Sequence, residues 1–139
     1  MRILLLNLYY PPDTSATAKM AQTVVEALSA RHDVTVLCGR PSYDPMERRP
    51  WRLWQTEVTE RVRITRVGST DYPRLAMKRR VLNYLSYVAL AIPLSLFLRC
   101  DLVLAMTDPP FEGIVGAVIA LLKTRRTFTT YVTCIRIWR

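Results

Sequence analysis

Residues 2–8, RILLLNL, form a short and nearly continuous apolar run. A run of that length with little polar alternation suits a strand buried on both faces, the condition of a parallel sheet covered by helices on either side. Tyr9-Tyr10-Pro11-Pro12 ends it, because consecutive prolines withdraw backbone donors and stop ladder pairing. Thr14 or Ser15 then offers a helix cap ahead of Ala18, Ala21, Val24, Val25 and Leu28, which recur at three- and four-residue spacing and predict a helix over residues 16–30. The β-branched stretch 33–38, DVTVLC, closed by Gly39, reads as a second strand. Strand, helix and strand in this order make a βαβ unit.

Residues 40–60 mix Pro41, Pro45 and Pro50 with Trp51 and Trp54 and read as an excursion or loose hairpin over the surface. Residues 62–67, VRITRV, predict a third strand, and the basic neighbours of Ile64 place it at an outer or edge position. A long helix is expected over 75–98, with Arg74, Lys78, Arg79 and Arg80 at its start and an apolar body from Leu85 onward. Residues 101–105, DLVLA, form a fourth buried strand, followed by a turn at Thr107-Asp108-Pro109-Pro110 and a small-residue helix over 111–122. Alternating strands and helices with short loops define a doubly wound parallel α/β sheet. Ligands in such sheets collect outside the carboxyl ends of the strands where strand order reverses, so the loops 9–16 and 106–112 are the candidate site.

The 139 residues are 50% apolar and 22% charged, enough for one packed core and too apolar for a disordered chain. Twenty basic side chains against 11 acidic ones give a net charge of +9, and residues 71–139 carry ten basic and four acidic groups, so an anionic partner is expected on that half. Cys38, Cys100 and Cys134 are odd in number and widely spaced, which excludes a disulfide framework and a cysteine zinc site and points to a reducing, cytoplasmic compartment. The first apolar run is short, is interrupted by Asn7 and has no small-residue cleavage site after it, so it does not read as a signal peptide.

Thr14, Ser15 and Thr17 sit where a loop enters a helix; they cap it, or their hydroxyls and the first-turn N–H groups bind an anion such as phosphate. Asp13 and Asp108 stand at two strand ends, as sugar-hydroxyl or proton-transfer groups or as turn residues beside proline. No GxGxxG or GK[ST] loop supports dinucleotide or P-loop binding, and no DxD pair or histidine cluster supports a metal. The segment 82–98 is open to three readings: a membrane span, a buried helix, or a helix whose basic end, Lys78, Arg79 and Arg80, faces anionic lipid. No nucleic-acid recognition motif accompanies that cluster, and nucleic acid is not an expected partner.

Four segments, MRILLLNLYYPPDTSATA, HDVTVLCGRPSY, RRVLNYLSY and DLVLAMTDPPF, together resemble in order and spacing the N-terminal domain of a bacterial family 4 glycosyltransferase of the exopolysaccharide or colanic-acid type. The resemblance implies a Rossmann-like domain forming the N-terminal half of a GT-B fold. It also implies transfer of a sugar, with retention, from a nucleotide-sugar donor to a glycan or lipid-linked acceptor at the inner face of the cytoplasmic membrane, without metal or cofactor. By that resemblance Thr14, Ser15 and Thr17 lie on the donor-phosphate side, with Ser15-Ala16-Thr17-Ala18 where many relatives have a Gly-Gly pair, and Asp13, Thr107 and Asp108 meet the acceptor. The likeness covers residues 1–123. Residues 124–139, TRRTFTTYVTCIRIWR, hold five threonines, four arginines and no acid, and read as a frameshifted or truncated end, or else as a fifth strand over 127–135. The family's Glu-x7-Glu element is missing from these residues, so the chain is expected to be inactive alone. The competing class is a non-enzymatic membrane-surface or interaction module built on helix 74–98.

Overall fold

The structure, a computed structural model, describes residues 1–41, 51–59, 61–70, 72, 77–107, 109–123 and the backbone of 129–131. Among these, strands β1 (Arg2–Leu6), β2 (Asp33–Gly39), β3 (Trp54–Thr59), β4 (Val62–Val67), β5 (Leu102–Ala105) and β6 (Thr129–Tyr131) form one sheet in the order β3-β4-β2-β1-β5-β6. Helices α1 (Ala16–Ser29), α2 (Met77–Phe97) and α3 (Glu112–Leu122) connect them. All pairings are parallel except β3 with β4. The fold is therefore mixed α/β with a mostly parallel sheet.

β1 is buried on both faces, as its unbroken apolar run requires. Leu4 and Leu6 enter one core with Tyr87, Ala91, Val115 and Ile119 of α2 and α3, whereas Leu5 enters the other with Ala21 and Val25 of α1. β2 repeats the division: Val34, Val36 and Cys38 join the α1 core and Leu37 the α2/α3 core. Strand alternation thus splits two short strands between two helical layers. The carboxamide of Asn83, buried on α2, fastens the β4–α2 connection. It accepts from Thr70 Oγ1 at 2.8 Å and from Tyr72 N at 3.1 Å, and donates to Tyr72 O at 3.0 Å.

Two expectations change. The sheet is not wholly parallel, because the stretch read as an excursion or loose hairpin ends in β3, a regular strand that folds back antiparallel on β4. β4 is consequently interior, paired on both sides, and β3 takes the edge. In β4 the alternation places Val62, Ile64 and Arg66 on one side; Val62 and Ile64 pack on the α1 core, and Arg66 is buried while Arg63 is exposed. At the other edge, β6 pairs parallel with β5 through Val103↔Thr129 to Ala105↔Tyr131, within the 127–135 considered from sequence as a strand; the rest of that range lies outside the described residues.

Candidate functional site

Strand order reverses at β1: the chain leaves it toward β2 on one side and returns through α2 to β5 on the other. The loops after β1 and β5 therefore emerge side by side at the carboxyl edge of the sheet, where a parallel α/β sheet opens a crevice.

The loop after β1 is held by its own Asn7 and by groups of α1, β2 and β4. Asn7, fully buried, donates Nδ2 to Tyr9 O at 2.6 Å and to Thr17 O at 3.4 Å. Gly39 N, at the end of β2, donates to Leu8 O at 2.9 Å. A Cβ at Gly39 would stand 3.1 Å from that same carbonyl oxygen and 2.6 Å from Leu8 Cδ1, and because Leu8 is buried it has little room to retreat, so glycine permits the close approach. Arg66 of β4, 5% exposed, donates Nη2 to Pro11 O at 2.5 Å and reaches Cys38 Sγ with Nη1 at 3.5 Å. The peptide bond between Pro11 and Pro12 is cis.

Of the titratable groups near Arg66, the Cys38 thiol and the Tyr10 phenol are neutral at physiological pH. Burial pushes the Cys38 thiol up to about 11, an effect that Arg66 opposes and the Asp13 carboxyl reinforces. Burial likewise pushes the Tyr10 phenol up to about 12. Two sources of positive potential act on the loop, the buried guanidinium and the amino end of α1, whose first-turn N–H groups point out of the helix.

Ser15 is the N-cap of α1: its Oγ accepts from Ala18 N at 3.1 Å and lies 3.2 Å from Thr17 Oγ1. Of the two roles open to it from sequence, capping is the one the geometry displays. Thr14 is exposed, Thr17 half-buried, and Asp13 buried, with its N donating to Tyr10 O at 3.2 Å. After β5, Met106 N donates to Leu6 O at 3.0 Å, and Thr107 follows half-buried; Asp108 lies outside the described residues. Lys78 and Arg79 are exposed and Arg80 half-buried in the first turn of α2. α2 follows β4 and leads into β5, so this basic turn stands at the same carboxyl edge.

Beneath the two loops lies a polar pair that sequence reading missed. Glu112, the first residue of α3, is fully buried with Oε1 2.9 Å from the Tyr87 hydroxyl, which is 3.0 Å from Leu37 O. The hydroxyl has one proton for two acceptors. The pair ties α2, α3 and β2 together under the crevice, and burial together with the Glu112 carboxyl holds the Tyr87 phenol well above its ordinary value. Glu112 carried a sequence signal, as the one acid in an otherwise apolar helix; Arg66 carried another, in its parity with Val62 and Ile64.

Two cavities open on the opposite, amino-terminal edge. One of about 500 Å³ is lined by Arg2, Asp33, Arg61, Arg63 and Arg99 together with apolar groups such as Leu98, and one of about 390 Å³ lies against Cys100 and Lys123. Neither is lined by Asp13, Thr14, Ser15, Thr17 or Thr107. Among the described residues no group of three or more His, Cys, Asp or Glu is placed to hold a metal ion. No family model and no curated protein matches the chain.

Proposed function

We propose that the chain is a Rossmann-like, acceptor-side domain of a retaining GT-B glycosyltransferase of the family 4 type. The observation that carries the reading is where the resembling segments fall. MRILLLNLYYPPDTSATA spans β1 and its loop into α1, DLVLAMTDPPF spans β5 and its loop, and the two loops emerge side by side at the switch point. RRVLNYLSY supplies Asn83 and Tyr87, the residues that fix α2 beneath those loops.

In this reading Asp13, Thr107 and Asp108 meet the hydroxyls of a glycan or lipid-linked acceptor. Thr14, Ser15 and Thr17 border the diphosphate of a nucleotide-sugar. The acceptor hydroxyl oxygen bonds to the anomeric carbon as the bond to the diphosphate breaks, its proton passes to the departing diphosphate, and that group is stabilised by N–H dipoles and by cations of the donor-binding half of a GT-B fold. The work takes place at the inner face of the cytoplasmic membrane.

The test is nuclear magnetic resonance titration of the labelled chain with a water-soluble prenyl-diphosphate monosaccharide, and separately with UDP and GDP. Shifts centred on Asp13, Thr107 and Asp108 with the acceptor analogue, and on Thr14, Ser15 and Thr17 with the nucleotides, are expected. Saturable nucleotide binding at those loops without acceptor binding would make this a nucleotide-binding protein instead, and binding of neither would remove the reading. Sequencing the gene past codon 139 and translating every frame for a Glu-x7-Glu domain tests the whole-enzyme assignment independently.

A further inference from the structure

α2 is long and apolar enough to cross a membrane by length and composition, yet its two sides differ. The side against the sheet carries Asn83, Tyr87, Ala91 and Ser95, all buried. The outward side exposes Leu82 (51%), Leu85 (55%), Leu96 and Phe97 (84%). α3 covers the same face of the sheet, touching α2 through the edge-on pair Tyr84–Phe111 at 5.9 Å, and exposes Ile114 and Leu121. The two helices together present one apolar surface.

Among the described residues of α2 and α3, the exposed charges have one sign. From Val81 to Leu98 there is no charged residue, and the acid of α3, Glu112, is buried. Lys78 and Arg79 are exposed at one end of α2 and Arg99 is exposed just past the other, about 30 Å away. An apolar strip with cations at both ends and no exposed acid between them matches a helix lying along an anionic bilayer, its leucines among the acyl chains and its cations at the phosphates.

We infer that the α2/α3 face docks flat on an anionic lipid surface and does not cross it. Crossing would strip α2 from the sheet and break the Asn83 bonds to Thr70 and Tyr72 and the Tyr87 bonds to Leu37 and Glu112. Docking keeps them all. The basic first turn of α2 shares the carboxyl edge with the loops after β1 and β5, so the docked domain holds that edge beside the lipid headgroups. The docking stands on exposed surface and charge and is independent of the glycosyltransferase reading.

The experiment is flotation of the full chain with phosphatidylcholine vesicles, with and without phosphatidylglycerol, followed by carbonate extraction of the bound fraction. Expected are flotation only with the anionic vesicles, release by carbonate, and a loss of partitioning of about 30-fold in the variant with Lys78→Ser and Arg79→Ser. Leu85→Glu, at an exposed position, should abolish flotation with an unchanged circular dichroism spectrum. Carbonate-resistant protein would mean a spanning helix and overturn the inference, as would absence of flotation or equal binding to neutral vesicles. A wild-type dimer by light scattering that Leu85→Glu converts to monomer, without vesicle binding, would assign the face to a second copy and also overturn it. None of these outcomes depends on whether the acceptor analogue binds.

Discussion

At the residue scale, the start of the sheet is fixed by one ion pair. Arg2 begins β1 and Asp101 immediately precedes β5; Arg2 N donates to Asp101 Oδ2 at 2.8 Å, its Nη2 to Oδ1 at 2.7 Å, and Asp101 N returns a bond to Arg2 O at 2.7 Å. These bonds set the Ile3↔Leu102 register next to them. The Arg2 side chain, and then its backbone N–H, hold the Asp101 carboxyl at about 2, below its ordinary 3.8. A carboxyl with a lowered folded-state value stabilises fully above its unfolded value and ceases to do so as the pH falls through the folded one. Urea midpoints should therefore carry an Asp101 contribution that disappears between about pH 4 and pH 2. In Asp101→Asn that part of the acid slope should vanish, with a small effect at neutral pH because both partners are partly exposed.

At the element scale, α1 begins where Ser15 caps it, and both its apolar spacing and its cap were visible in the sequence. Ser15→Ala should lower stability by about 1 kcal/mol, read as a shift in the urea midpoint, with Ser15→Asp retaining most of the wild-type value. A variant that lost ligand binding at unchanged stability would give the hydroxyl a role beyond the cap.

The other helices were legible for the same reason as α1: an apolar face or an unbroken apolar body betrays a partner. β3 was not, because its sequence WQTEVT faces solvent widely and its order comes from backbone pairing with β4. The misplaced edge followed from it, since a basic alternation reads as solvent exposure when the hairpin that covers the strand is unseen. In the site, the two loops could be named from strand ends alone. The Tyr87–Glu112 contact joins residues 25 apart on separate helices, and only the packing of α2 against α3 brings them together.

At the scale of the whole molecule, each core encloses acids that must stay neutral. Tyr10 and Cys38 lie in the α1 core and Tyr87 in the α2/α3 core. Raised values of this kind reverse the sign found for Asp101. The stabilisation is complete below the unfolded-state values, 9.0 for the thiol and 10.0 for the phenol, and is lost as the pH rises through about 11 and about 12. Alkaline unfolding is thus expected to set in above about pH 9, and Tyr10→Phe should flatten its upper part while leaving the lower part, due to Cys38, in place; urea midpoints over that range decide it.

The turned-back strand β3 makes the two sides of the sheet unequal. Its exposed side chains Trp54, Thr56 and Val58 alternate with the half-covered Gln55 and Glu57. The parallel order of the sheet ends at that hairpin, and on the other flank it runs on unbroken through β1 and β5 to β6.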